Sequence, residues 1–246
     1  MRRIFENSDR GIALLTGHHL SEFARPMGAG AESAAPATLD NVHVKSSYAR
    51  WAPVYDLVFS LIMRAGRLAA VAAADRPMGR VLDVGVGTGL ELPMFDERTR
   101  LVGVDLCEPM LRQAQRRVIG KSLRNVDGLL VMDATRLAFP DASFDAVVAP
   151  YVLTVVPDPH AMLDELLRVV KPGGEIVLVN HVGAETGIIA KLEAWLGKRS
   201  AHLGWRPQFQ WSVLGGWIDA RPAARLLERR ALAPFGLFTL ARLKKA

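Results

Sequence analysis

Residues Val81-Leu82-Asp83-Val84-Gly85-Val86-Gly87-Thr88-Gly89 set an acid and three glycines at the end of a β-rich run. Glycine spacing of this kind lets the backbone approach a bound ligand closely and offer it N–H groups. A dinucleotide fold would want glycine at the sixth position of G-x-G-x-x-G, where this chain has Leu90, so the D-x-G-x-G-x-G reading disfavours NAD. A helix is expected from about Leu90. A second acid, Asp105, closes the run Leu101-Val102-Gly103-Val104. It falls about twenty residues after the glycine turn, where nucleotide-binding βαβ units place a carboxylate that accepts from ribose hydroxyls. Taken alone, Asp105 would serve equally well as a helix N-cap.

The elements that must hold these acids are visible as β-rich runs at Arg80 to Val84, Leu101 to Val104, Leu129 to Met132, Ala146 to Ala149 and Ile176 to Val179, separated by helical patterns. This alternation predicts an α/β fold with a Rossmann-like, mostly parallel sheet covered by helices on both faces. Arg225 to Leu232 and Phe235 to Leu243 flank Ala233-Pro234 with no room for a helix, which predicts an antiparallel C-terminal hairpin and seven strands in all. Upstream, Val54, Leu57, Val58, Leu61, Ile62, Ala65, Leu68, Ala69 and Ala72 recur at helical spacing, with a polar stripe through Asp56, Ser60, Arg64 and Arg67. Residues 1–44 show no sustained periodicity and contain the small-residue stretch Pro26 to Thr38, so they read as a flexible leader. The domain proper is expected over 45–246, with 45–75 as a lid of membrane-facing helices.

A single cysteine, Cys107, precludes an intrachain disulfide and fits a reducing compartment. Its place beside Asp105 suits a small packing residue better than a nucleophile. The six histidines have no metal-ligand spacing, so no metal is expected. The longest apolar stretches, Leu57 to Met63 and Leu68 to Ala74, fall short of the ~20 residues needed to span a bilayer. From Lys191 onward eleven Lys and Arg stand against three acids, a charge of +8 within a chain whose total is +6. Such a basic end favours an anionic partner, or is simply a solvated surface.

These motifs together resemble the class I S-adenosylmethionine (SAM)-dependent methyltransferases, from about Tyr48 to Leu243. The resemblance implies SAM as cofactor, with Asp83, Gly85 and Gly87 lining its methionine end. Asp105 would hold the ribose, with Leu106 and Met110 near the adenine. Asp133 and Ala134, in Val131-Met132-Asp133-Ala134, resemble the segment that meets the adenine amino group, and Ala149 after the fourth strand completes the implied cofactor set. Ala149-Pro150-Tyr151-Val152 lacks the Asn/Asp-Pro-Pro-Tyr cluster that grips planar amino groups of bases or glutamine.

The run Tyr48-Ala49-Arg50-Trp51-Ala52-Pro53-Val54-Tyr55-Asp56 resembles the lid segment of bacterial soluble-type phosphatidylethanolamine N-methyltransferases, and quinone C-methyltransferases carry a looser version. Tyr151 to Pro159 and Phe238 to Leu243 are similar to the lipid enzymes as well. Four of the five tryptophans (Trp195, Trp205, Trp211 and Trp217) fall in one stretch with Lys198, Arg199 and Arg206. That combination suits an anionic membrane surface, although each ring is equally suited to a core. Methylation of an amine needs in-line attack and removal of a proton, for which Tyr48, Tyr55, Tyr151 and His181 are the candidate catalytic residues. The expectation is a monomeric cytoplasmic enzyme, peripheral to the inner face of the membrane, acting on phospholipid and not nucleic acid. A quinone precursor or small metabolite is the alternative acceptor. A catalytically silent SAM-binding or RNA-binding module is the reading from another class.

Overall fold

A computed structural model of the chain describes residues 14–15, 63–181, 210–232, 236 and 238–246. Tyr48, Tyr55, Trp195, Trp205 and the Pro26 to Thr38 stretch lie outside the described residues. The strands are β1 (Leu14–Leu15), β2 (Arg80–Val84), β3 (Arg100–Asp105), β4 (Val126–Val131), β5 (Phe144–Pro150), β6 (Val170–Asn180), β7 (Ala224–Leu232) and β8 (Phe238–Lys245). They form one sheet in the order β1-β4-β3-β2-β5-β6-β8-β7. Every pairing from β1 to β6 is parallel, and the two that involve β8 are antiparallel. The hairpin therefore threads its second strand between β6 and β7, leaving β7 at the edge. The seven expected strands are all present, and the two-residue β1 adds an eighth by pairing Leu14 and Leu15 with Leu129 and Leu130.

The sheet buries both faces, as parallel strands require when helices cover them. Helix α1 occupies residues 63–74; α2 runs Glu108–Gly120, α3 Pro159–Val169 and α4 Trp211–Asp219. Ala70, Val71 and Ala74 of α1 and Leu111, Ala114 and Val118 of α2 pack with Val81, Leu101, Leu129 and Val148. Met162, Leu163 and Leu166 of α3 and Leu214 and Trp217 of α4 pack with Leu82, Val104, Val147 and Leu178 on the other face. Alternation along each strand separates the two sets, so Asp83 belongs to the side of α1 and α2. The chain leaves β2 for β3 and β4, then returns across it to β5. Such a reversal opens a crevice at the carboxyl ends of the strands, where open α/β sheets bind ligands.

Three expectations need correction. No α-helix follows the glycine turn: the chain makes only a 3-10 turn at Leu92–Met94. Leu92 precedes Pro93, which disfavours its helical conformation, and Pro93 has no N–H to donate. Phe95 then turns extended, at φ −75 and ψ 153, and buries its ring. The Asp96 amide is taken by Asp75 Oδ2 at 3.0 Å and is lost to a further turn.

Helix α1 also presents a different face from the one its apolar pattern predicts. Gly66, Arg67, Ala70, Val71 and Ala74 are buried, whereas Ala65, Leu68 and Ala72 are exposed. Two residues that hydropathy counts as non-core, a glycine and an arginine, are those the fold buries, because one permits close packing and the other reaches the crevice. Finally, Trp217 is a core residue, 1% exposed, with Nε1 donating to Asp164 Oδ1 at 3.0 Å. It is not available to a membrane interface. Trp211 is half-buried under the Arg229 guanidinium, 4.0 Å from its ring centroid.

Candidate active site

The glycine turn is held by the end of β3. Gly85 and Val86 both donate to the Val104 carbonyl, at 2.8 and 3.0 Å. Gly85, Gly87 and Gly89 have φ of 72, 53 and 71, the left-handed region that side chains resist. At Gly85 a Cβ would also overlap Val152 Cγ2. Asp105 receives the Gly87 amide on Oδ2 at 2.8 Å and the Cys107 amide on Oδ1 at 2.7 Å. Its carboxyl thus ties the glycine turn to the start of α2, and the lone pairs left on each oxygen can accept from a ligand. Burial raises the Asp105 pKa against the opposing pull of the amide donors of Cys107, Gly87 and Leu106.

A crevice opens over these groups. In sheet order, Met132, Asp133 and Ala134 after β4 line one end, Asp105, Leu106 and Gly87 at β3 and β2 the middle, and Tyr151 after β5 the other. Met110 is also in the lining, as are Arg67 and Glu91, whose charges act on Tyr151. Val152, Val155 and Val156 add an apolar wall. Asp133 Oδ1 accepts from the Thr135 amide at 2.8 Å and hydroxyl at 2.7 Å, which fixes the carboxyl in the crevice. A Cβ built at Gly87 would meet no protein atom nearer than the Gly85 carbonyl at 3.9 Å, so it would project into the cavity. The empty space beside Gly87 and the flanking acids Asp105 and Asp133 fit a nucleoside whose sugar approaches backbone and whose hydroxyls and amino group need acceptors.

The other end is a buried cluster of charges. Arg67, Asp83 and Glu91 are 4%, 0% and 5% exposed. Among the described residues no donor reaches either Asp83 oxygen, and its neighbour is the Glu91 carboxyl. Two carboxyls in contact form a hydrogen bond only when one of them carries a proton. Burial pushes the Asp83 pKa well up, and Glu91 and Asp105 push the same way. Burial likewise raises Glu91, to about 7, against the lowering pull of the Arg67 cation. Arg67 comes from α1, so this helix and the loop after the glycine turn meet through Arg67 and Glu91.

The candidate site residues fall into three groups. Gly85, Gly87, Asp105, Leu106, Met110, Asp133, Ala134 and Tyr151 line the crevice. Asp83 and Ala149 are fully buried and are not among its lining residues, although Asp83 neighbours Glu91, which is one of them. His181 is buried just past β6, its ring 6.5 Å from that of Phe238, which in turn packs on Tyr151; it is not itself among the lining residues. Tyr151 donates its hydroxyl to the Met63 carbonyl at 2.9 Å, and burial raises its phenol pKa. Arg67 and Glu91 line the crevice without having been singled out from the sequence. Glu91, two residues beyond the last glycine of the turn, carried a signal: a second acid in a run that is otherwise small or apolar after Asp83.

This arrangement is that of a known family. The methyltransferase domain family matches residues 82–178. The chain is 38% identical over 202 residues, 82% of its length and 97% of the relative's, to a phosphatidylethanolamine N-methyltransferase of Cereibacter sphaeroides. In fold it is similar to a SAM-dependent methyltransferase from Aquifex aeolicus, with TM-score 0.62, 18% identity, and 80% and 98% of the two chains covered. The chain belongs to the class I SAM-dependent methyltransferases, and SAM is its cofactor. Its similarity to quinone enzymes is shorter: a demethylmenaquinone methyltransferase of Deinococcus radiodurans is 37% identical over 155 residues, 59% of this chain and 63% of that one.

Proposed function

We propose that this enzyme N-methylates phosphatidylethanolamine and its mono- and dimethyl derivatives toward phosphatidylcholine, working from the membrane surface. The observation that carries the reading is similarity along nearly the whole length of the Cereibacter sphaeroides lipid enzyme. The Deinococcus radiodurans quinone enzyme matches over a smaller share of both chains, and a quinone precursor is therefore the second acceptor to test. No described helix is long and apolar enough to cross a membrane, which is consistent with an acceptor reached from one side.

When bound, SAM supplies an electrophilic methyl group on a sulfonium. The chain's own work is to hold the cofactor, position the amine in line and exclude water. Asp105 and Asp133 would accept from the ribose and the adenine, with Leu106, Met110 and Ala134 against the ring. Gly85 and Gly87 would let the backbone lie close. Val152, Val155 and Val156 supply an apolar wall that favours the uncharged form of the acceptor amine. Of the candidate proton-handling residues, Tyr151 in this conformation acts through its ring, because its hydroxyl is committed to Met63 and its raised pKa makes it a poor acid. An aromatic face there also favours the increasingly methylated cationic product. Tyr48, Tyr55 and His181 remain the candidates to orient the amine or take its proton.

The reading is tested by expressing the chain in a bacterium that makes phosphatidylethanolamine but no phosphatidylcholine. Mono-, di- or trimethylated lipid in the extract, absent when Asp105→Ala replaces the wild type, supports it. Unmethylated lipids together with methylated quinone would move the assignment to the quinone reaction.

A further inference from the structure

The acid cluster at the α1 end of the crevice has no part in the cofactor contacts assigned above beyond the general place of Asp83. Its geometry is specific: two carboxyls, one on β2 and one on the loop after it, meet in a space from which solvent is nearly excluded. Among the described residues, the charged and titratable groups around Glu91 are Arg67 from α1, Asp83 from β2, Asp105 from β3 and Tyr151 after β5. Three acids therefore face one cation. Ionising all three in this low-dielectric space leaves negative charge that Arg67 alone does not balance. A proton shared between Asp83 and Glu91 relieves it.

SAM carries two cationic centres, its ammonium and its sulfonium, against one carboxylate, so it enters with a net positive charge. Its product, S-adenosylhomocysteine, has a thioether in place of the sulfonium and is net neutral. Glu91 and Arg67 line the same crevice as Asp105 and Asp133 and act on Tyr151, which follows β5, across β2 and β3 from the Asp133 that follows β4. With the adenosine over Asp105 and Asp133, the charged amino-acid end of the cofactor has this cluster within its field. We propose that the Asp83–Glu91 pair is the charge-selective element of the cofactor site: it holds a proton when the crevice is empty and releases it to solvent when the cationic cofactor binds, so that rising pH favours SAM over the thioether product. The inference rests on SAM as cofactor and is independent of which acceptor is methylated.

The pH window follows from the Glu91 value of about 7. Below it Glu91 is protonated and cofactor binding must expel that proton; above it the Glu91 proton is already gone, while Asp83, pushed well up by burial, keeps its own. The SAM dissociation constant is expected to fall by up to about tenfold per pH unit between about pH 6 and 7 and to level off above about pH 8. The dependence for S-adenosylhomocysteine should be weaker. Isothermal titration calorimetry in buffers of different ionisation enthalpy counts the released protons directly. Glu91→Gln should remove most of the release, with folding checked by circular dichroism. Arg67→Met takes away the cation that favours ionised Glu91 and should move the levelling-off to higher pH, a shift that does not depend on Glu91→Gln folding. A SAM affinity that is absent or flat across this range, a slope that survives Glu91→Gln, or equal slopes for cofactor and product would overturn the proposal. Lipid methylation need not be measured, so loss of the phosphatidylethanolamine reading would leave this result standing.

Discussion

Gly66 on α1 lies directly against the Tyr151 ring that follows β5. A Cβ at position 66 would overlap the Tyr151 hydroxyl and come within 3.0 Å of Val179 Cγ1. Tyr151 is itself held in a left-handed conformation, φ 66, with its amide on the Val179 carbonyl at 2.6 Å. The next residue after Gly66 is Arg67, so this contact sets how far the arginine reaches toward Glu91.

Gly66→Ala is expected to cost roughly 1–3 kcal/mol of stability by overpacking and to weaken SAM binding by displacing Arg67. Tyr151→Phe removes the hydrogen bond to Met63 and should cost only about 1 kcal/mol. The double variant should recover part of the Gly66→Ala loss, because the hydroxyl is the nearest obstacle. Thermal denaturation of the three variants checks this; strict additivity would contradict the interlock.

Gly85→Ala combines a strained φ with overlap of Val152. The conformational part alone costs about 1–2 kcal/mol, and relief requires the turn to shift. SAM affinity should drop by at least about tenfold, the equivalent of ~1.4 kcal/mol, measurable by calorimetry. Unchanged affinity would mean that the turn does not shape the site.

Much of this architecture was legible because periodicity and motif agreed. The β2 run, the acid ending β3 and the C-terminal hairpin each carry local signals that the tertiary structure leaves unaltered. Most of the parts that were not legible share a cause: they depend on contacts distant in sequence. Arg67 looks like a surface charge until Glu91 is placed opposite it. Gly66 looks neutral until Tyr151, 85 residues later, is packed on it. The helix expected from Leu90 fails partly for a local reason, Pro93, which the periodicity passed over, and partly because Asp75 captures the Asp96 amide, a bond no local propensity records. Within the site, Asp105 was readable from its place at a strand end, whereas Asp83, also an aspartate at a strand end, is fully buried and not among the lining residues.

Stability without cofactor should fall with rising pH between about 4.5 and 7. Glu91 keeps its proton in the folded protein up to about pH 7 and loses it in the unfolded chain near 4.5. The native state therefore binds more protons in that window, and unfolding becomes easier as pH rises. Asp83 contributes in the same direction, its folded pKa also being raised. Glu91→Gln should flatten the Glu91 part of the decline in urea titrations; a decline of unchanged size would remove Glu91 as its source.

Trp217 fills the α4 side of the core and donates to Asp164, whose pKa is lowered first by Arg221 and then, against burial, by this bond. Trp217→Ala should cost about 3–5 kcal/mol as a large cavity opens. Trp217→Phe, which retains most of the packing, should cost less than half as much. Vesicle binding of the folded Phe variant should match the wild type, since the ring is internal; a large loss of binding would place Trp217 in the membrane contact after all.

The most direct test of the central claim is transfer of label from methyl-labelled SAM by the purified enzyme to vesicles of anionic lipid with or without phosphatidylethanolamine, followed by lipid chromatography. Label in mono-, di- or trimethylated ethanolamine lipid, only when phosphatidylethanolamine is present, is the predicted result. Tight SAM binding with no label in any of these lipids would contradict it.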